Sequence, residues 1–301
     1  MSSPTFEELR QQGLGTMRKG DFAGARVLFE KAERRAKSDA EKTRALIHQA
    51  CVAIFDGEPS PLIQELPKFV MSRADPLNVW LSAFYYGNYL IDEKNKRTVA
   101  AKYLAIMFEQ LPFLERTHYY AALSFDFACA LALAERQFDD ARRFAARARE
   151  EIALCEPADD VAAAAAMIEH NLGYSLLGHG RPNEAIPHLR AGLESLEALG
   201  FAANRDRAGV HVNLAFAHLL SNDVPQAETH LDCAGKYMDS GTEWLRPYVL
   251  YLRAEIAQRR DDTETAERIY EELQQYDPRF RGLSKVLSRV SLLPIILPER
   301  Y

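Results

Sequence analysis

Three histidines are the first residues in the chain whose spacing suggests chemistry. His211 and His218 stand seven apart on one helical stretch and His230 falls on the next, so three imidazoles can approach one another. Histidines gather on zinc in tighter, acid-supported arrangements such as His-Glu-x-x-His, and no such motif occurs here. Gly178-His179-Gly180 has the glycines of a phosphate loop. No strand pattern precedes it and the lysine is absent, which leaves a turn between helices. His118, beside Tyr119 and Tyr120, has no nucleophile paired with it by sequence, and no Gly-x-Ser-x-Gly elbow is present. No catalytic residue, metal ligand or cofactor is therefore expected.

The arginines Arg142, Arg143, Arg147 and Arg149 form the densest basic cluster, but Asp139, Asp140, Glu150 and Glu151 bracket it. Opposite charges at helical spacing describe a solvated helix face. Cys51, Cys129, Cys155 and Cys233 are widely separated, lack any Cys-x-x-Cys pair and lie in or beside apolar stretches, so buried reduced thiols are expected. The totals agree with a globular chain: 301 residues, 48% hydrophobic and 27% charged. With 37 basic against 43 acidic side chains, the net charge of -6 gives no field to gather nucleic acid. The first ten residues lack a basic start and apolar stretch, so no secretory signal is expected. The longest apolar runs, Val161 to Ile168 and Leu292 to Leu297, fall far short of the ~20 residues that span a bilayer. A cytoplasmic chain without a membrane partner is the expectation.

These side chains must be positioned by helices. Apolar residues recur at helical spacing nearly everywhere, no sustained alternation of period two occurs, and turn signals return at intervals suited to helical hairpins. The fold class is all-α. Thr5 and Glu8 make a helix-capping box at the start. The clearest unit runs from His170 through Gly173 and Leu177, turns at Gly178 to Pro182, and continues through Ala185 and Leu189 to Leu193. Gly13 with Ala25, Cys129 with Ala141, Gly173 with Ala185, Ala215 with Ala227 and Ala254 with Ala266 all place two small residues twelve apart. The later alanines follow one another by 44, 42 and 39 residues, whereas Ala25 and Ala141 are 116 apart. Two degenerate hairpins are expected in that gap, one around Ala50, Gly57 and the helix Pro61 to Met71, the other around Gly87, Ala100, Tyr103 and Met107.

Five small pairs in register resemble the tetratricopeptide repeat, in which such pairs let two helices approach closely, although the family's aromatic at the start of the first helix is largely missing. Repeats of about 40 residues are similar to the long-helix variants in kinesin light chains, Rap-type peptide receptors and MalT-like regulators. The resemblance implies a right-handed superhelix of about seven hairpins in one domain over 1–301. The expected hairpins are 5–36, 40–73, 76–115, 116–155, 159–199, 204–239 and 243–277. A capping helix over 278–290 and an extended tail over 291–301 would follow. A lone hairpin cannot bury its apolar stripe, which is why repeats must stack.

The same resemblance implies a non-catalytic scaffold holding a protein or peptide of unknown identity in a groove lined by first helices. Its alternative is a ligand-responsive regulatory module. Asn171 and Asn213 are the expected backbone contacts, since a side-chain amide both donates and accepts. Asp126, Phe127, His170, Tyr174, Phe216, Tyr251 and Glu255 are expected beside them. A clamp for a terminal carboxylate is not expected, because Asp126, Val212, Phe216 and Tyr251 fill the positions where cations would be needed. The apolar stretch Leu292 to Leu297 is expected to fold back into the groove or to join two copies as a homodimer.

Overall fold

The computed structural model describes residues 3–91, 96–199, 204–238 and 245–276. Among the described residues there are fourteen α-helices, one short 3-10 turn (Leu111–Phe113) and no strand. The helices are α1 (Phe6–Arg18), α2 (Phe22–Arg35), α3 (Asp39–Asp56), α4 (Pro61–Ser72), α5 (Pro76–Ile91), α6 (Arg97–Gln110) and α7 (Thr117–Ala134). They continue as α8 (Phe138–Ile152), α9 (Asp159–Gly178), α10 (Pro182–Glu197), α11 (Asn204–Leu220), α12 (Val224–Tyr237), α13 (Arg246–Arg259) and α14 (Thr263–Tyr276). The all-α expectation holds. The expected capping helix 278–290 and tail 291–301, with Leu292 to Leu297, lie outside the described residues.

The chain forms two compact units. One takes α1 to α7 with Arg147–Glu156, which includes the later part of α8, and the other takes Arg136–Ala146, which includes the earlier part of α8, with α9 to α14. Within each unit the same order recurs. Odd-numbered helices pair with the even-numbered ones that follow, as in α1 with α2 or α11 with α12, and also touch the next odd-numbered helix, as in α3 with α5 or α9 with α11. The odd-numbered helices are called first helices below.

Local signals set the helix boundaries. Thr5 Oγ1 accepts from the Glu8 backbone N-H at 3.3 Å, and Glu8 Oε2 accepts from the Thr5 N-H at 2.7 Å, completing the expected capping box. Asp21, Ser38 and Asp223 cap α2, α3 and α12 through backbone N-H groups of Gly24, Glu41 and Gln226. Pro61 opens α4, where a missing N-H costs nothing.

Close approach follows from the small residues. Ala25, Ala185, Ala227 and Ala254 are fully buried and Ala266 nearly so. A Cβ on Gly173 would lie 2.8 Å from Leu189 Cγ and 3.2 Å from the Ala185 carbonyl oxygen, so α9 and α10 meet only because that atom is absent. Gly13 is filled by the Phe29 ring in the same way. In the first unit, the core around α5 gathers Trp80, Ile47, Leu66, Met107 and Phe127, and the Phe127 ring rests against Gly87. The indole of Trp80 donates to Ser124 Oγ at 3.1 Å, which satisfies its one polar atom.

Cys51 and Cys129 are buried, and burial pushes both thiols up. Cys155 and Cys233 differ from expectation in being half-buried. Cys155 lies beyond the end of α8, and Cys233 sits on α12 one position outside the stripe that buries Leu231 and Ala234.

Candidate functional site

Counting from the small residue of each first helix places the candidate residues in three rows. Three positions before it stand Asp126, His170 and Tyr251; two positions before it stand Phe127, Asn171 and Asn213; one position after it stand Tyr174, Phe216 and Glu255. An α-helix brings residues at such offsets onto one face. All nine are buried, none more than 4% exposed.

In the second unit the rows interlock. The amide nitrogen of Asn213 on α11 lies 2.5 Å from Nε2 of His170 on α9, so the amide donates and that ring nitrogen accepts. Burial holds the His170 ring down to about 3, which keeps it neutral and able to accept. Glu255 on α13 accepts from the Tyr270 hydroxyl of α14 at 2.8 Å. Burial raises the Glu255 carboxyl, and Tyr270 and Arg259 oppose that shift. Tyr251 is raised by burial and by Glu255. Asn171, Tyr174, Phe216 and Tyr251 complete the buried set in this unit.

In the first unit Asp126 and Phe127 lie on α7, with Phe127 part of the core around α5. Its ring centroid is 6.3 Å from that of Phe84. Phe84 stands three before Gly87 on α5, so a residue three before the small position of one first helix again meets a residue two before it on the next, as His170 meets Asn213.

That row exposes residues the sequence reading missed. Arg10 stands three before Gly13, His48 two before Ala50 and Tyr85 two before Gly87. His48 is almost wholly buried, stacks on Phe29 at 5.0 Å and meets Tyr85 edge-on at 6.2 Å. Neither of its ring nitrogens has a hydrogen-bond partner. Burial, reinforced by Arg10 and Arg44, holds it down to about 3. Nearby, Arg44 donates to Asn78 at 3.0 Å and pairs with Asp75 at 3.2 Å, while Asn78 donates to the Ala40 carbonyl at 2.8 Å. Carrying the count back to Gly13, Ala50 and Gly87 would have found these positions.

The three histidines of the second unit do converge. His211 Nδ1 lies 3.0 Å from His230 Nδ1, and the His230 ring stacks on His218 at 5.4 Å. Among the described residues no group of three histidine, cysteine or acidic side chains is placed to hold a metal ion. Likewise, no described helix is long and apolar enough to cross a membrane.

The family model described as Tetratricopeptide repeat matches residues 208–232 and 247–272, which fall on the α11/α12 and α13/α14 hairpins. Those two hairpins are of the tetratricopeptide type. No curated protein matches the chain by sequence. Among solved structures the chain is similar to the apo form of RapI, with 11% identity over 91% of this chain and 77% of that one and a TM-score of 0.61. It is also similar to a Rap protein complexed with competence and sporulation factor, with 13% identity over 96% of this chain and 80% of that one and a TM-score of 0.66. At such identity the likeness concerns the fold alone, an all-α helical-repeat architecture over most of the chain.

Proposed function

We propose that this chain is a non-catalytic scaffold that holds a protein or peptide segment along the faces of its first helices. One observation carries the reading: residues able to donate, accept and stack recur at fixed offsets from the small residue of successive tetratricopeptide hairpins. A catalytic centre needs one constellation at one place, whereas a surface that grips an extended partner needs a row. The Rap protein complexed with competence and sporulation factor supports the reading by fold.

Asn171 and Asn213 are the proposed contacts to partner backbone, with His170, Tyr174, Phe216, Tyr251 and Glu255 beside them. Asp126 and Phe127 hold the same offsets on α7. Because these groups are buried, the Asn213 amide nitrogen must exchange its His170 acceptor for a peptide carbonyl while a peptide N-H donates to the freed His170 Nε2, which keeps both groups bonded and the net cost small.

The test is selection of displayed random peptides on the intact chain, followed by affinity measurement with Asn171→Ala and Asn213→Ala combined. Selected peptides should bind the native chain and lose at least about tenfold in affinity, or roughly 1.4 kcal/mol, to the double variant at unchanged helicity. Undiminished affinity would remove the asparagines from the site, and failure to enrich any peptide would remove the scaffold reading for peptides.

A further inference from the structure

We propose that the facing histidines His211 and His230 make the α11/α12 hairpin a pH-sensitive latch, closed while their contact holds one proton and parted once both facing nitrogens carry one. The geometry is specific. The two Nδ1 atoms are 3.0 Å apart, a hydrogen-bond distance, so one ring donates and the other accepts. A single added proton is tolerated, because an imidazolium still donates to the neutral ring. A second proton places two N-H groups and two positive charges face to face with no acceptor between them, and the helices must separate.

The surroundings transmit this to both helices. His211 stacks on Tyr237 of α12 at 5.7 Å, with the Arg207 guanidinium 5.6 Å from the centre of the same tyrosine ring. His230 is stacked on its far side by His218 of α11. His218 Nδ1 lies 3.3 Å from Asp223 Oδ2, close enough to attract a protonated ring, although neither of its nitrogens is aligned for a hydrogen bond. The column therefore alternates between the two helices, and parting one contact unpacks its neighbours.

The charges around the column oppose protonation of the closed form. Arg207 on α11, Lys236 on α12 and Arg190 on α10 are all cationic, and Asp223 acts on His218. From α13, Arg253 is held by Asp232 and Arg259 donates to the Leu219 carbonyl at the end of α11. On α9, His170 is neutral and bonded to Asn213, and Glu169 is taken up by His188 of α10. Burial and these cations hold His211 and His230 to about 4 each, against 6.5 for an exposed ring. Between those values the open form takes up protons that the closed form refuses, so opening is favoured progressively as pH falls and is suppressed above about 6.5.

Hydrogen exchange on the intact chain, corrected for intrinsic rates, tests the latch. Going from about pH 7.5 to about pH 5, amides of α11 and α12 should lose at least about tenfold more protection than those of α9 and α10, and His230→Asn should abolish that excess. An equal loss across all four helices, or an excess that survives in the variant, overturns the proposal. Should the variant fold poorly, carbon-detected titration of the histidine rings in the native chain decides the matter. Two separate steps below the ordinary histidine range are expected, and two independent titrations near 6.5 contradict it.

Discussion

Gly173 and Gly15 both sit inside helices, yet substitution should move stability in opposite directions. At Gly173 an added methyl meets the Leu189 side chain and the Ala185 carbonyl, so Gly173→Ala is expected to cost about 1–3 kcal/mol. At Gly15 nothing lies within 4 Å, and Gly15→Ala should gain roughly 0.5–1 kcal/mol from reduced chain entropy. Urea unfolding midpoints of the two variants against the parent check both signs. The small-residue register was legible because sterics at the closest approach admit few side chains. Which glycines bear that constraint was not, since it depends on what faces each one.

His48 makes a separate residue-level prediction. The unfolded chain takes up a proton on this ring near 6.5, whereas the folded chain resists until about 3, so its contribution is intact above 6.5 and lost as pH falls below it. At about pH 5.5 the loss is about 1.4 kcal/mol. His48→Phe keeps a ring against Phe29 and removes the titration. It should therefore shrink the stability difference between about pH 7.5 and about pH 5.5 by a similar amount in urea unfolding. An unaltered difference would mean that this ring is already solvated in the fold.

At the scale of the element, five of the described hairpin turns follow a rule the sequence hid. Gly20, Arg136, Gly180, Asn222 and Asp261 all have left-handed backbone, with φ of 82°, 60°, 70°, 62° and 59°. Each stands five residues before the buried alanine of the second helix, and Gly57 serves the α3/α4 turn with φ of 73°. In five of these six turns the next N-H donates back to a carbonyl of the first helix: Asp21 to Thr16, Glu58 to Ala53, Arg181 to Leu176, Asp223 to His218 and Asp262 to Ala257. Because glycine, arginine, asparagine and aspartate all fill the position, residue type alone does not reveal it. Gly180→Ala forces a Cβ into that conformation and should lower stability by about 1 kcal/mol, while Arg136→Gly should not lower it. Thermal melting with wild-type helicity below the transition distinguishes this from a packing defect.

Across the whole chain, stacking by repetition was readable and pairing between repeats was not. The alanine intervals announced helical hairpins, and the all-α helical-repeat fold follows them. Asn213 and His170 are 43 residues apart, and only the apposition of α9 and α11 turns them into partners. The sequence marked both as candidates by their offsets, but offsets alone do not tell whether a polar row faces solvent, a ligand or the next helix. The same blindness passed over Arg10, whose Gly13 hairpin was already in register, and over His48 and Tyr85, where less regular hairpins obscured the count.

The central claim is that first helices, and not second helices, hold the partner. Hydrogen exchange of the intact chain with and without a saturating selected peptide tests it most directly. Added protection concentrated on α9, α11 and α13 is the predicted result; protection confined to α10, α12 and α14 would contradict the account.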